Sequence, residues 1–462
     1  MSVVTRFAPS PSGALHIGGA RTALFNYIFA KSKNGIFRLR IENTDVLRQT
    51  KSSVSSIIDG LKWLDILPDK EIVFQDKNIS EHLQVIDSLL KKKLAYKCFT
   101  SNQEIESFTK QNKHKKFRSK WRDLDQKDHP KNKSFVIRLK IPLESNITIV
   151  DTVQGKVSVD NKEIDDSVIL RANGKPTFLL SSAVDDINMK VTNIIRGDDH
   201  LTNTFRQFYI FDFLNKTLPI FSHIPLILNA NGKKLSKRDN ASSLEDYRNK
   251  GYLKEAIINY LLRLGWSHGN KEIIDIVEAK KLFNIKKIGK SPAKLDENKI
   301  NYLNSYYLKN LPINLINDLL IQKINVEHKL SIQQIEMISK VSKYYVKRSS
   351  TISDLYKHTK FLYAYNYKSN LQIKNKKFEM FSDLKNDLIA ELKNISEWEV
   401  TEIDNMLKEF VNERNISYKD IGIPLRIILT DEENTPSIGV IIQTLGKNEV
   451  LRRIENYYSI HK

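Results

Sequence analysis

The chain has 462 residues, with 74 Lys and Arg against 54 Asp and Glu, a formal charge of +20, 40% apolar residues and one cysteine, Cys98. That composition supports several globular cores and excludes an internal disulfide framework; the basic excess fits a polyanionic partner such as nucleic acid, although the Lys-, Asn- and Ile-rich texture of the whole chain is an alternative source of the charge. No stretch approaches ~18 uninterrupted apolar residues, and Met1–Arg6 lacks the basic start and apolar run of a secretory leader, so a soluble, cytoplasmic protein with no membrane partner is expected.

In chain order, Val3–Ala8 reads as a short buried strand broken by Pro9-Ser10-Pro11-Ser12-Gly13. A helix is expected from about Gly19 to Lys31. Phe37, Leu39 and Ile41 then alternate with Arg38 and Arg40, the period-two pattern of a strand. Helices near 53–64 and 81–93 complete a strand–helix alternation that predicts a parallel α/β sheet. From about Ala95 the texture changes: 135–141, 147–150 and 156–159 read as strands, and Asn173-Gly174 is a turn signal. The α/β texture returns with strands at 191–195 and 224–228 around a helix at 202–214. Beyond about Ser243 nearly everything is helical by pattern, as in 253–264, 332–344, 381–392 and 399–411.

Two constellations carry chemistry. The first, Arg6 to Gly13 running into His16-Ile17-Gly18-Gly19, follows a strand and opens a helix, where an α/β sheet binds phosphates. Glycines let backbone approach a nucleotide, the helix start offers free N–H groups, and a histidine can donate to phosphate oxygens. The second, Lys234-Leu235-Ser236-Lys237-Arg238, follows a strand and the turn-prone Asn229–Gly232; its lysines can close over a triphosphate and neutralise departing pyrophosphate. Either alone is weak, since the first matches ordinary turn geometry and the second an ordinary basic surface. Their order and spacing make the pair specific.

Together they resemble the two signatures of class I aminoacyl-tRNA synthetases. The flanking blocks Arg40-Ile41-Glu42-Asn43-Thr44-Asp45, Ile195-Arg196-Gly197-Asp198-Asp199-His200 and Leu261-Leu262-Arg263-Leu264-Gly265-Trp266-Ser267 are similar to those of bacterial glutamyl-tRNA synthetases. The likeness is strong over about 310 residues, weaker beyond, and recovers at Leu445-Gly446-Lys447. It implies that glutamate is activated by ATP, accompanied by Mg²⁺, to glutamyl-adenylate, which is passed to the terminal ribose of tRNA(Glu). Whether tRNA(Gln) is charged too is left open. His16, Lys237 and Lys234 would stabilise phosphate charge, with Gly18, Gly19 and Ser236 completing the ATP site. Arg6 and Arg196 would face the side-chain carboxylate of L-glutamate, and Glu42 and Ser10 its amino-acid end. Taken singly, Arg6 and Arg196 also fit salt bridges, and Glu42 fits an ion pair with Arg40 or Arg38.

The chain departs from the family pattern at Phe178, where Tyr is common, at Ser182, where some members have Asn, and at Asn43, where Asp is usual. Tyr96-Lys97-Cys98-Phe99-Thr100 resembles half of the zinc site some members carry, but one thiol cannot complete such a tetrahedron. No structural zinc and no metal-ligating residues are therefore expected, and His114 and His129 are read as exposed. The resemblance implies a multidomain fold, α/β then all-α. A Rossmann-like catalytic domain (1–95 and 185–235) is interrupted by a mixed acceptor-end-binding insertion (96–184). The signature loop and helical stem-contact domain follow (236–310), then two helical anticodon-binding subdomains (311–375 and 376–462), in a monomer. Glutaminyl-tRNA synthetase is the nearest rival, but it generally has Glu at the Ser10 position, lacks the Arg196 arginine and has a β-barrel anticodon region. A truncated paralogue that glutamylates a modified tRNA base is too short, and a non-catalytic RNA-binding copy would have lost His16, Lys237 or the arginines.

Overall fold

Branched and aromatic residues dominate β1 (Val4–Phe7) and β2 (Ile36–Ile41), which pair in parallel with Val4 opposite Ile36, and helix α1 (Ile17–Ser32) makes the crossover between them. The computed structural model describes residues 2–44, 51–112, 116–229, 231–233, 243–365 and 376–459. The chain divides into two compact units, Met1–Tyr247 with Ile257–Glu297, and Arg248–Ala256 with Asn298–Lys462.

In the first unit, α2 (Lys51–Trp63) leads to β3 (Val73–Phe74), parallel to β2, and then to α3 (Ile79–Lys91). A mixed segment follows: β4 (Ala95–Cys98), α4 (Asn102–Gln111), β5 (Val136–Leu139), the antiparallel hairpin of β6 (Asn146–Asp151) and β7 (Gly155–Asp160), and β8 (Val168–Leu170). Strands β4, β5 and β8 form an antiparallel sheet in that order. It is braced by buried Asp166, which accepts from Tyr96 at 2.9 Å and Arg122 at 2.6 Å. Asn173 and Gly174 lie in a tight turn closed between Arg171 and Lys175, with Gly174 at φ 75°.

Helix α5 (Phe178–Asn188) then returns the chain to the parallel sheet, which continues with β9 (Asn193–Gly197), α6 (Leu201–Phe213) and β10 (Ile220–Ile224). The sheet strand was expected at 224–228. It lies four residues earlier, because Pro225 cannot donate to the ladder, and only the two-residue β11 (Ile227–Leu228) follows. After α7 (Leu244–Asn249), α8 (Lys254–Arg263) and α9 (Ile276–Leu282), β12 (Ala293–Lys294) pairs with β11. Thr192 joins β9 to β1: its N–H donates to Val4 O at 3.0 Å, and its Oγ1 accepts from Val4 N at 2.8 Å. The strand order is thus β3–β2–β1–β9–β10. Chain direction diverges on the two sides of the β1–β9 junction, and a sheet of this kind opens a ligand crevice beyond its carboxyl ends there.

The second unit is helical among its described residues, from α10 (Glu297–Asn310) through α11 (Ile313–Ile324), α12 (Ile332–Tyr345), α13 (Ile352–Thr359), α14 (Lys376–Asn394), α15 (Val400–Glu413), α16 (Tyr418–Thr430) and α17 (Ile438–Leu445) to α18 (Lys447–Ser459). Capping boxes at Ser331/Gln334, Thr351/Asp354 and Ser417/Asp420 start three of these helices, and apolar stripes such as Ile403, Leu407 and Phe410 are buried. No described helix is long and apolar enough to cross a membrane.

Thr192→Val keeps the side-chain shape but removes the acceptor for the Val4 amide. It should cost ~1–3 kcal/mol, read as a lower thermal midpoint and faster hydrogen exchange at Val4; unchanged exchange there would exclude the junction role.

Candidate active site

A cavity of about 660 Å³ opens at that divergence point. Its wall comes from the ends of β1 (Arg6, Phe7, Ala8), β2 (Glu42) and β9 (Arg196, Gly197), the first turn of α1, and the start of α5. Arg6, Ser10, His16, Gly18, Gly19, Glu42, Phe178, Ser182 and Arg196, spread over 191 positions of sequence (6 to 196), all line it. Lys234, Ser236 and Lys237 lie outside the described residues.

Helix α1 begins at Ile17, two residues before the expected Gly19, because His16 caps it: Nδ1 accepts from the Gly19 N–H at 3.1 Å. A ring that accepts at Nδ1 carries its hydrogen on Nε2. Gly19 is tightly placed, since a Cβ there would lie 2.9 Å from Leu15 Cδ1. Side-chain-free backbone and the helix N-terminus together make this wall suited to phosphate.

The floor is ionic. Arg40, on the polar side of the β2 alternation, is fully buried, because both faces of a parallel sheet are covered. Arg40 Nη1 donates to Asp186 Oδ1 at 2.6 Å, and its Nη2 reaches Glu42 Oε1 and Ser182 Oγ, each at 3.0 Å. Arg6 Nε donates to the same Asp186 oxygen at 3.0 Å. Burial opposes charging of both partners, but the pairing outweighs it: Arg40 is held above its ordinary range by Asp186, Glu42 and Asp185, and the Asp186 carboxyl is held below its own by Arg40 and Arg6. Burial pushes the Glu42 carboxyl up against the pull of Arg40. Neighbouring Asp185 accepts from His82 and Gln75 at 2.8 Å and from Asn78 at 2.9 Å. Thus Arg6, Arg40 and Glu42 are mutually satisfied through α5.

Arg196 is different. Among the described residues no carboxylate lies within ion-pair distance of it, including Asp198 and Asp199. Its partners are neutral: His223 Nε2 at 3.1 Å, Gln207 Oε1 at 2.9 Å, Thr204 Oγ1 at 2.6 Å and His200 O at 3.3 Å, with the Phe221 ring 5.3 Å from its Cζ. Burial, then the charge of Arg6, lowers its pKa to about 9, so it stays cationic at neutral pH. Phe178, lacking the phenol hydroxyl of the family pattern, packs on His200 with ring centroids 5.6 Å apart.

Sequence reasoning missed Asp186, Gln75, Asp151 and His223. The available signal was polar residues within apolar runs: Asp185-Asp186 within α5, and His223 between Phe221 and Ile224. His129, expected to be exposed, packs on Phe99 and Trp121 at 5.2 and 6.2 Å, beside a buried Cys98 whose thiol donates to Ser119. His114 lies outside the described residues.

The family of class I tRNA synthetase (E and Q) catalytic domains matches residues 2–302, and an anticodon binding domain family matches 314–458. Fold and site therefore define a class I aminoacyl-tRNA synthetase. The chain is 43% identical to glutamate–tRNA ligase 2 of Rickettsia akari over 463 residues, covering 98% of this chain and 99% of that one. It is 41% identical to glutamate–tRNA ligase of Pelagibacter ubique, covering 98% of each. A crystal structure of a glutamate tRNA ligase from Elizabethkingia meningosepticum in complex with its amino acid superposes with a TM-score of 0.83 at 27% identity, covering all of both chains. The chain belongs to the glutamate–tRNA ligases.

Asp186→Asn leaves two buried guanidiniums sharing a neutral amide. A loss of ~3–5 kcal/mol is expected, read as a large fall in thermal midpoint; a shift of one or two degrees would mean the arginines find other anions.

Proposed function

We propose that this cavity holds L-glutamate and ATP side by side and joins them, the α-carboxylate of glutamate attacking the α-phosphorus to give glutamyl-adenylate and pyrophosphate. The 2′-hydroxyl of the terminal ribose of tRNA(Glu) then attacks the activated carbonyl and releases AMP. Neither step needs a covalent protein nucleophile, so the chain contributes positioning and charge stabilisation. The observation that carries the reading is the imbalance among the arginines. Arg6 and Arg40 are paired with Asp186, whereas Arg196 lines the cavity at the end of β9 as a buried cation with only neutral partners; Arg21, the other buried cavity cation bonded only to neutral groups, stands on α1 at the phosphate wall. A buried cation of that kind is completed by an incoming anion, and the side-chain carboxylate of glutamate has the right charge and length. Arg6, committed to Asp186, would supply positive potential more than direct bonds. Glu42, partnered by Arg40, and Ser10 at the rim would take the ammonium end. Phe178 would shape the pocket without a hydroxyl, and Ser182, whose oxygen accepts from Arg40, keeps its O–H to donate.

Phosphates would lie against the first turn of α1, with His16 Nε2–H, Gly18 and Gly19 beneath them. Lys234, Ser236 and Lys237 are assigned to the same phosphates on their sequence motif. Among the described residues no three His, Cys, Asp or Glu side chains gather to hold a metal. Mg²⁺ would accompany ATP at its phosphates, and no step is built on it. The segment 96–184 is assigned to the tRNA acceptor end, 236–310 to the stem, and 311–462 to the anticodon, where phosphate contacts position RNA and a few side chains read bases. A cytoplasmic monomer is the working state. Charging of tRNA(Gln) as a second substrate would be set by those base-reading side chains, and charging the two purified tRNAs in parallel separates the cases.

Arg196→Ala should raise the KM for glutamate by ~10²-fold or more and erode the preference for glutamate over glutamine, because a carboxylate meets the buried positive charge and a neutral amide does not. Parent values for both would remove Arg196 from the substrate site. Lys237→Ala should slow adenylate formation by ~10²-fold while changing glutamate affinity far less; a near-parent rate at saturating ATP would reject that assignment.

A further inference from the structure

Arg196 is oriented by a chain of buried groups that no step above uses. Arg196 Nε faces His223 Nε2 at 3.1 Å, and His223 Nδ1 faces Asp151 Oδ2 at 2.7 Å. Asp151 and His223 are both buried, at 2% and 0% exposure. A guanidinium has only donors, so His223 Nε2 must be the acceptor in this pair. The proton of the neutral ring is then on Nδ1, and Asp151 must accept it. Asp151 cannot turn away, because its Oδ1 also accepts the backbone N–H groups of Val153 at 2.9 Å and Gln154 at 2.8 Å. The imidazole is stacked on Phe221, with ring planes 9° apart, and Thr204 Oγ1 lies 3.1 Å from the same Nε2.

We infer that Asp151 and His223 are positioning residues for glutamate selection: the carboxylate fixes the imidazole tautomer, and the Nε2 acceptor so created fixes the plane of the Arg196 guanidinium against the cavity. The inference rests on Arg196 receiving the substrate carboxylate. With Nε held by His223, Nη1 by Gln207, and Nη2 by Thr204 and His200 O, four of the five donors are spent internally. One Nη1 hydrogen and the charge remain for a ligand. If the tautomer flipped, an N–H would point at an N–H, and the guanidinium would rotate out of register. Protonation of His223 would have the same effect. The titratable groups facing the ring are Asp151 on β6, Arg196 on β9, Asp198 after β9, and nearby His200. Burial and Arg196 hold the ring below its ordinary imidazole value against the pull of Asp151, so the acceptor persists through neutral pH and is lost only below the usual imidazole range.

The test is aminoacylation of tRNA(Glu) with labelled glutamate by the full chain, reading KM and kcat separately, with glutamine as competitor. Asp151→Asn turns an NH₂ toward Nδ1 and forces the wrong tautomer; His223→Leu removes the acceptor. Each should raise the glutamate KM by ~10-fold or more, lower the glutamate-to-glutamine preference, and leave kcat within about threefold. In His223→Gln, Oε1 reaches the place of Nε2 but cannot be protonated. That variant should return KM close to parent at pH 7.5 and flatten the acid-side rise in KM that the parent shows, even though His200 still titrates. Melting curves identify any variant that fails to fold, and Asp151→Asn with His223→Gln then suffices. If Arg196→Ala raises KM but Asp151→Asn and His223→Leu do not, or if His223→Gln is as impaired as His223→Leu, the positioning role is wrong and the pair only packs the sheet. If Arg196→Ala itself leaves KM unchanged, the substrate reading beneath it fails.

Discussion

Four guanidiniums, those of Arg6, Arg21, Arg40 and Arg196, lie buried around one cavity, and a cation taken out of water must be met by anions or by well-placed acceptors. Much of the architecture around the site follows from that requirement. Arg6 and Arg40 arrive on adjacent strands of the parallel sheet, both buried. Asp186 neutralises both, and it can do so only because α5 crosses beneath the carboxyl ends of β1 and β2. Asp185, next in the helix, is in turn held by Gln75, Asn78 and His82, which ties the end of β3 and the start of α3 into the same lattice. Arg196, like Arg21 on α1 whose bonds go to the carbonyls of Leu264 and Pro225, is left with neutral acceptors, so its charge stands at the cavity with no carboxylate in ion-pair distance among the described residues.

The placement of opposite demands on opposite walls follows from the sheet. A helix start with close backbone at His16–Gly19 offers N–H groups and no bulk, the conditions for phosphate. The β9 end and α5 offer fixed cations and a closed shape, the conditions for a small dicarboxylic amino acid. Both lie beyond the carboxyl ends of the strands, at the junction that Thr192 makes between β1 and β9. An attack of carboxylate on a phosphorus requires such adjacency, and the strand order supplies it, with Asn26 of α1 donating to Ile195 O of β9 at 2.9 Å.

The mixed segment between β4 and β8 is more than an addition to the parallel sheet. Its hairpin ends at Asp151, which reaches the backbone and ring of His223 on β10. The wall that carries Arg196 is therefore completed by a residue from an insertion more than forty positions earlier in the chain. The polar partners involved are all buried, and in such networks each member is satisfied only if every other is in place.

Local chemistry was enough for much of this. The strand–helix alternation, the proline-rich break, the His16–Gly19 helix start and the helical C-terminal half follow from periodicity, capping and glycine placement, because those depend on neighbours within a few residues. The family resemblance, and not local chemistry, assigned Arg6, Glu42 and Arg196 to a substrate with both charges. What sequence could not decide was how each charge is compensated. The alternation of β2 did not show that Arg40 is buried, with both faces covered, and the strand at 224–228 gave way to Ile220–Ile224 because of Pro225. Asp186 and Asp151 acquire meaning only from partners 146 and 72 positions away. Compensation of a buried charge is a property of distance in space. Sequence separation carries no record of it, so the division between a carboxylate-paired Arg6 and an Arg196 held by neutral acceptors belongs to the tertiary structure alone.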